Sequence, residues 1–320
     1  MTALEPVPSS GLAELVDLAD AARGYAAANR ADRTKRAYAS DWAHFTAWTD
    51  GHGLTGLPAD PATVALYVTD MASTFKAATI NRRLAAISVR HKKAGLASPA
   101  SNTGVLEVMK GIRRTIKTAQ TEAAPAVIGE IRRMIAHLPD DTAGVRDRAV
   151  LLVGFAGALR RSELVAIDVE DLKARDEGIV ITINSSKTDQ EGQGRRIAIP
   201  YGRDHETCPV SALRSWMALA NIDHGALFRP VDRHGNIGST RLGAKAVTAI
   251  VKRAAERAGL EPAPYSGHSL RAGFITTAAA NGAPERAIAA QSGHRSMEVL
   301  RRYVRHATVF SDNAATTLGL

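Results

Sequence analysis

The chain has 320 residues, 45% hydrophobic and 23% charged, a balance that suits a folded protein large enough for two domains and argues against disorder. With 41 Lys/Arg against 32 Asp/Glu it carries a net charge of +9 and a pI near 9.9, which points to a polyanionic partner. Cys208 stands alone, which excludes an internal disulfide and a cysteine-rich zinc site. No apolar run approaches the roughly 18 residues of a membrane span, and the opening MTALEPVPSSGLAEL is not built as a secretory signal, so a cytoplasmic protein is expected.

Residues 12–29 and 33–50 are expected to be helices. In the second, Tyr38, Trp42, Phe45 and Trp48 recur at steps of three and four, the stripe of a helix packed on a core. PADPATVALYVTDMA is a third helix, started by Asp60 as cap and Pro61 in its first turn. KAATINRRLAAISVRHKKAGL is a fourth, with Ile80, Leu84 and Ile87 directed inward and Arg82, Arg83, Arg90 and Lys93 directed elsewhere, and SNTGVLEVMKGIRRTIK is a fifth. Charge is segregated along this half. Residues 1–75 hold five Lys/Arg against nine Asp/Glu, whereas residues 76–117 hold ten against Glu107 alone. A membrane surface would want large apolar residues opposite the basic face. This segment offers core-sized Ala, Ile, Leu and Val instead, so nucleic acid is the expected partner, with Lys76, Arg82, Arg83 and Arg90 as candidate phosphate contacts. Residues 1–117 therefore read as an all-helical, basic domain.

The stretch 118–126, TAQTEAAPA, lacks large apolar side chains and contains Pro125, and it is expected to link this domain to a second over 127–320. Helices are expected at about 127–138 and 142–157, ending in the turn FAGALRRSEL. GIVITINSSKTDQEGQGRRIAIP differs in kind: two β-branched alternations separated by glycines read as a hairpin. Helices follow at about 208–221 and 240–258. The latter has Leu242, Val247, Ile250 and Val251 to bury and would expose Arg241, Lys245 and Thr248. The chain then runs into GHSLRAGFITTAAANGAPERAIAAQSGHRSMEVLRRYVRH.

That last stretch sets chargeable groups among alanines. Phosphodiester chemistry without a metal needs a nucleophile, cations around the phosphorane and an acid for the leaving oxygen. Tyr303, then Arg160, Arg271, His268 and His294, then Lys187 can fill these places. Clustered carboxylates for metal-assisted hydrolysis are missing from the sequence, and His205 with Cys208 lacks a second pair, so no cofactor or metal is expected.

These residues resemble the tyrosine recombinases, also called phage integrases, most of all the simple Cre-like and Xer-like members. ALRRSEL is similar to the family's Leu-Arg-x-Ser-Glu-Leu turn and gives Arg160 the place of the first catalytic arginine, with Glu163 expected to orient Arg160 or a histidine. SSKTD puts Lys187 at the catalytic lysine. GHSLRAG supplies the His-x-x-Arg box as His268 and Arg271, SGHRS supplies His294, and Tyr303 follows nine residues later. The resemblance implies a mainly α protein. Its parts would be an all-helical, SAM-like core-binding domain and a mixed α/β catalytic domain with a small antiparallel sheet, together a C-shaped clamp on duplex DNA. It further implies a 3′-phosphotyrosyl intermediate, a Holliday junction, paired inverted half-sites and a homotetramer on two DNA sites. Helix 240–258 would enter the major groove, where Lys245 stands at a guanine-reading position. A phosphate contact is the other reading of that lysine. A type IB topoisomerase-like enzyme and a non-cutting DNA-binding regulator share parts of this pattern. The full helical N-terminal half and the spacing of nine favour the recombinase over the first, and the complete active-site set disfavours the second.

Overall fold

Phe45 anchors the first half of the protein. It lies fully buried on α1 (Asp32–Gly51), edge-on to Tyr67 at 5.0 Å, while Trp48 meets the same ring at 5.3 Å and Trp42 tilts against Phe45 at 5.5 Å. The expected aromatic stripe is thus a core face, closed by Trp48 Nε1 donating to Asp70. Described in the computed structural model are residues 32–116, 123–184, 194–294 and 296–307, with Leu18, Ala21 and Leu318 besides. The expected helix at 12–29 lies outside them save for the helical Leu18 and Ala21. The chain divides into two compact units, Met1–Gln120 and Thr121–Leu320.

In the first unit α2 (Pro61–Ala72) starts as its sequence demands: the Asp60 side chain accepts from the Ala62 N–H, and Pro61 fills a position whose N–H has no helical partner. α3 (Ala77–Lys93) buries Ile80, Leu84 and Ile87. A single 3₁₀ turn (Pro99–Ser101) leads to α4 (Thr103–Thr115), capped by Asn102 and packed through Val105, Met109 and Ile112. His91 is structural. Its Nε2 accepts from the Ala59 N–H, so its Nδ1–H donates to the Ile87 carbonyl.

The second unit is layered around α6 (Thr142–Ala156), whose Ala149–Gly154 run is buried on every side. Around it stand α5 (Ile128–Ala136), the short α7 (Arg161–Ala166), α8 (Pro209–Leu219), α9 (Ala244–Arg257), α10 (Ser269–Ala280), α11 (Glu285–Ser292) and α12 (Met297–Ala307). Three antiparallel strands in the order β1 (Leu172–Arg175), β2 (Gly178–Ile183), β3 (Arg195–Pro200) form the sheet, with Ile181 paired to Ile197 and Ile179 to Ile199. β1 and α7 go beyond the expected elements. Of the stretch expected to be a linker over 118–126, residues 118–122 lie outside the described residues, and the described part packs within the second unit. The Ala124 N–H donates to the Pro264 carbonyl and the Ala126 N–H to the Ser269 carbonyl, with Ala126 fully buried. A Cβ on Gly273 would collide with the Ala126 carbonyl, so that glycine is what lets this segment lie on α10.

Candidate active site

The turn between α6 and α7 builds one wall. Ala158 takes a left-handed φ of +48°, a conformation costly for a residue with a Cβ, and is fully buried. The reversal makes Arg160 the N-cap of α7 and aims the Ala158 carbonyl at Arg271. Glu163, three residues on, reaches back: Oε2 accepts from the Arg160 N–H at 3.0 Å and Oε1 from its guanidinium at 2.5 Å. Its side chain is only 1% exposed. Burial raises its pKa, but the Arg160 bonds and the Arg160 and Arg195 charges outweigh that, and the carboxyl ends below its ordinary value.

α10 builds the second wall. His268 caps its start and stays exposed, while Arg271, one turn later, is 1% exposed. Arg271 donates to the Ala158 carbonyl at 2.9 Å and lies against the His294 ring at 3.3–3.4 Å. Burial, then Arg160, pushes its pKa down to about 9. His294 follows the left-handed Gly293 (φ +66°) that ends α11. The Ser292 hydroxyl donates to the Ile288 carbonyl and so accepts from His294 Nδ1–H at 2.7 Å, leaving the lone pair on Nε2. Burial, then Arg271, takes the His294 pKa down to about 4, which keeps the ring neutral at pH 7.

Tyr303 arrives on α12. Its ring packs beside a small apolar cluster of Ile275, Ala279, Ile288 and Leu300, and its hydroxyl stands 3.0 Å from His268 Nε2. The two side chains are therefore within hydrogen-bond reach of each other. Six expected residues, Arg160, Glu163, His268, Arg271, His294 and Tyr303, come together here. Lys187 lies outside the described residues. Three guanidiniums (Arg160, Arg195, Arg271) face one carboxylate and a neutral imidazole, which leaves the site with excess positive charge suited to a phosphate diester. Arg195 escaped the sequence reading. Its signal was its phase: on β3 it shares a face with the buried Ile197 and Ile199, where an arginine needs a buried anion.

The candidate DNA-contact residues divide. Lys76 and Arg90 are exposed, the latter with its guanidinium 5.7 Å from the Trp42 ring. Arg82 is half exposed and forks onto Asp41 at 2.7 and 2.9 Å. Arg83 must be withdrawn from the set: it is buried, near Asp41 at 3.8 Å and stacked over Phe75 at 4.0 Å, because α3 turns that position toward α1. Arg241 is exposed, and its guanidinium pairs with Asp168 and caps the carbonyls of Val165 and Ile167 at the end of α7. Thr248 is turned to the Gly267 N–H and to Arg161. Lys245 stays exposed on the first turn of α9.

The family model described as "Phage integrase family" matches residues 129–309. An "Integrase/recombinase xerD homolog" of Selenomonas ruminantium is 42% identical over 291 residues, covering 89% of this chain and 85% of the relative. The "Recombinase cre" of Escherichia phage P1 is 23% identical over 282 residues, 82% of this chain and 80% of the relative. In fold, the chain is similar to the XerH site-specific recombinase bound to palindromic difH substrate, with a TM-score of 0.61 at 15% identity over 80% of this chain and 72% of that one. No helix among the described residues is long and apolar enough to cross a membrane. With a family model over more than half its length and a 42% identical relative along nearly all of it, the chain belongs to the phage integrase family, the tyrosine recombinases.

Proposed function

We propose that this protein is a site-specific DNA recombinase that cuts and rejoins duplex DNA through Tyr303. The observation that carries the reading is the Tyr303 hydroxyl bonded to His268 beside a buried Arg271 whose partners, Ala158 and His294, bear no charge. In the attack, Tyr303 Oη bonds to the scissile phosphorus and its proton passes to His268 Nε2. Arg160 and Arg271 present donors to the non-bridging oxygens as charge develops there. An arriving phosphate raises the pKa of His294 and makes it a donor to the same oxygens. Lys187 gives a proton to the departing 5′ oxygen. The products are a 3′-phosphotyrosyl bond and a free 5′ hydroxyl. That bond keeps the phosphodiester energy, so a second strand's 5′ hydroxyl can reverse the step without ATP or a metal.

Exchange of one strand pair gives a Holliday junction, and four protomers on two sites with inverted half-sites complete the reaction. The basic face of the first unit, with Lys76, Arg82 and Arg90, supplies phosphate contacts there, and Lys245 reads the major groove in the second. The test uses a duplex selected by the protein from a random pool and nicked beside the cleavage point. The wild type should become covalently attached, whereas Tyr303→Phe should bind equally well and form no adduct. Adducts formed by Tyr303→Phe would reject the assignment.

A further inference from the structure

Glu163 carries a second guanidinium that the mechanism above does not use. Arg195 enters from β3 and donates through one nitrogen to Glu163 Oε2 at 3.0 Å and through the other to the Gln291 carbonyl at 2.5 Å. Gln291 answers it: its Nε2 donates to Ala198 on β3 and to Ala156 at the end of α6, both at 3.0 Å. Between its two anchors the Arg195 side chain runs close against Gly293. A Cβ there would stand 2.9 Å from Arg195 Nε and 3.0 Å from its Cζ. Gly293 thus serves two needs at once, the left-handed end of α11 and this close approach. The next residue is His294. Arg195 Nε is buried with no hydrogen-bond partner among the described residues, so the group is seated for its two ends rather than for all its donors.

We propose that Arg195 is a positioning residue of the strand-transfer site: it ties the turn carrying His294 to the carboxylate that orients Arg160. Two phosphate-binding groups from different helices then keep one mutual geometry. The same tie fixes the start of β3 and hence one end of the β2–β3 connection, which holds Lys187 in the sequence. Only a planar fork can do this. A lysine would keep the charge beside Glu163 but has one ammonium, which cannot span both ends.

The inference rests on the strand-transfer reading, and the test separates the two. Arg195→Lys and Arg195→Met, alone and combined with His294→Ala, are compared with the wild type for single-turnover adduct formation on the nicked duplex, for non-covalent binding of that duplex and for melting temperature. Arg195→Lys should fold and bind DNA as the wild type does, and form the adduct about 10²-fold more slowly, the loss expected of slightly misplaced reacting groups. In the His294→Ala background the further loss should be clearly smaller than in the wild type, because part of what Arg195 holds is already gone. The proposal is overturned if Arg195→Lys cleaves at the wild-type rate, or if the losses multiply without coupling. Should Arg195→Met fail to fold, Arg195→Lys still decides. A wild type that forms no adduct would instead reject the strand-transfer reading.

Discussion

Replacing Arg271 with methionine should make the protein more stable while abolishing its reaction. The guanidinium is 1% exposed, its partners are a carbonyl and a neutral ring, and burial followed by the Arg160 charge holds its pKa down to about 9. Against an ordinary value of 12.5, at about 1.4 kcal/mol per unit, that is on the order of 5 kcal/mol of unfavourable charge burial. Methionine removes it but leaves the Ala158 carbonyl unpaired, at a cost of about 1–3 kcal/mol. The expected net gain is about 2 kcal/mol, or roughly 4–8 °C in a unit of this size. The assay is thermal melting of both proteins with and without sulfate at constant ionic strength. An oxyanion in the site stabilises the wild type by mass action and should narrow the gap, because it finds fewer donors in the variant. A variant that melts below the wild type, or one that gains as much from sulfate, would show that contacts within the protein already compensate the Arg271 charge.

Four further outcomes follow from the site and the basic face. If Lys187 protonates the 5′ leaving oxygen, Lys187→Ala should cleave ordinary DNA very slowly and recover on a 5′-phosphorothiolate, whose sulfur leaves without a proton. Recovery absent from this variant and from arginine variants alike would point to another acid. Lys76→Ala and Arg90→Ala should each flatten the log–log salt dependence of duplex binding by about 0.9. Arg83→Met should instead leave that slope alone and lower stability by about 1–3 kcal/mol, since its guanidinium sits against Asp41 and Phe75; a changed slope would contradict its burial. His294 has a folded pKa of about 4 against 6.5, so the unfolded chain takes up its proton first. Its contribution to stability is full above 6.5 and is lost as pH falls toward 4, by at most about 3 kcal/mol before screening. His294→Gln should therefore lose less stability between pH 7 and 4.5 in urea unfolding, and an unchanged loss would refute the neutral, buried assignment.

The parts legible in the sequence were those where a period or cap repeats a local rule. The Trp42, Phe45 and Trp48 spacing and the Asp60–Pro61 start needed no tertiary knowledge. His268, Arg271, His294 and Tyr303 were grouped into one site by the resemblance of their motifs to those of the tyrosine recombinases. β1 was missed because LKAR is an edge strand with no buried alternation, and α7 because six residues carry too little period. The burial of Arg83 and the pairing of Arg241 were hidden for a different reason. Sequence shows a charge and its helix face, but not that Asp41 or Asp168, far away along the chain, will meet it. Arg195 lay in the most readable place, in phase with Ile197 and Ile199. Its purpose depends on Glu163 and Gln291, which only the fold brings together.

The most direct test of the central claim is to map the covalent complex. Wild-type protein is trapped on the nicked duplex, digested, and the DNA-bearing peptide sequenced by mass spectrometry, while the ends of the released strand are identified. The predicted result is DNA joined by its 3′ phosphate to Tyr303, with a free 5′ hydroxyl on the other fragment. A strand cut to leave a 5′ phosphate with no protein attached, or an adduct on any other residue, would contradict it.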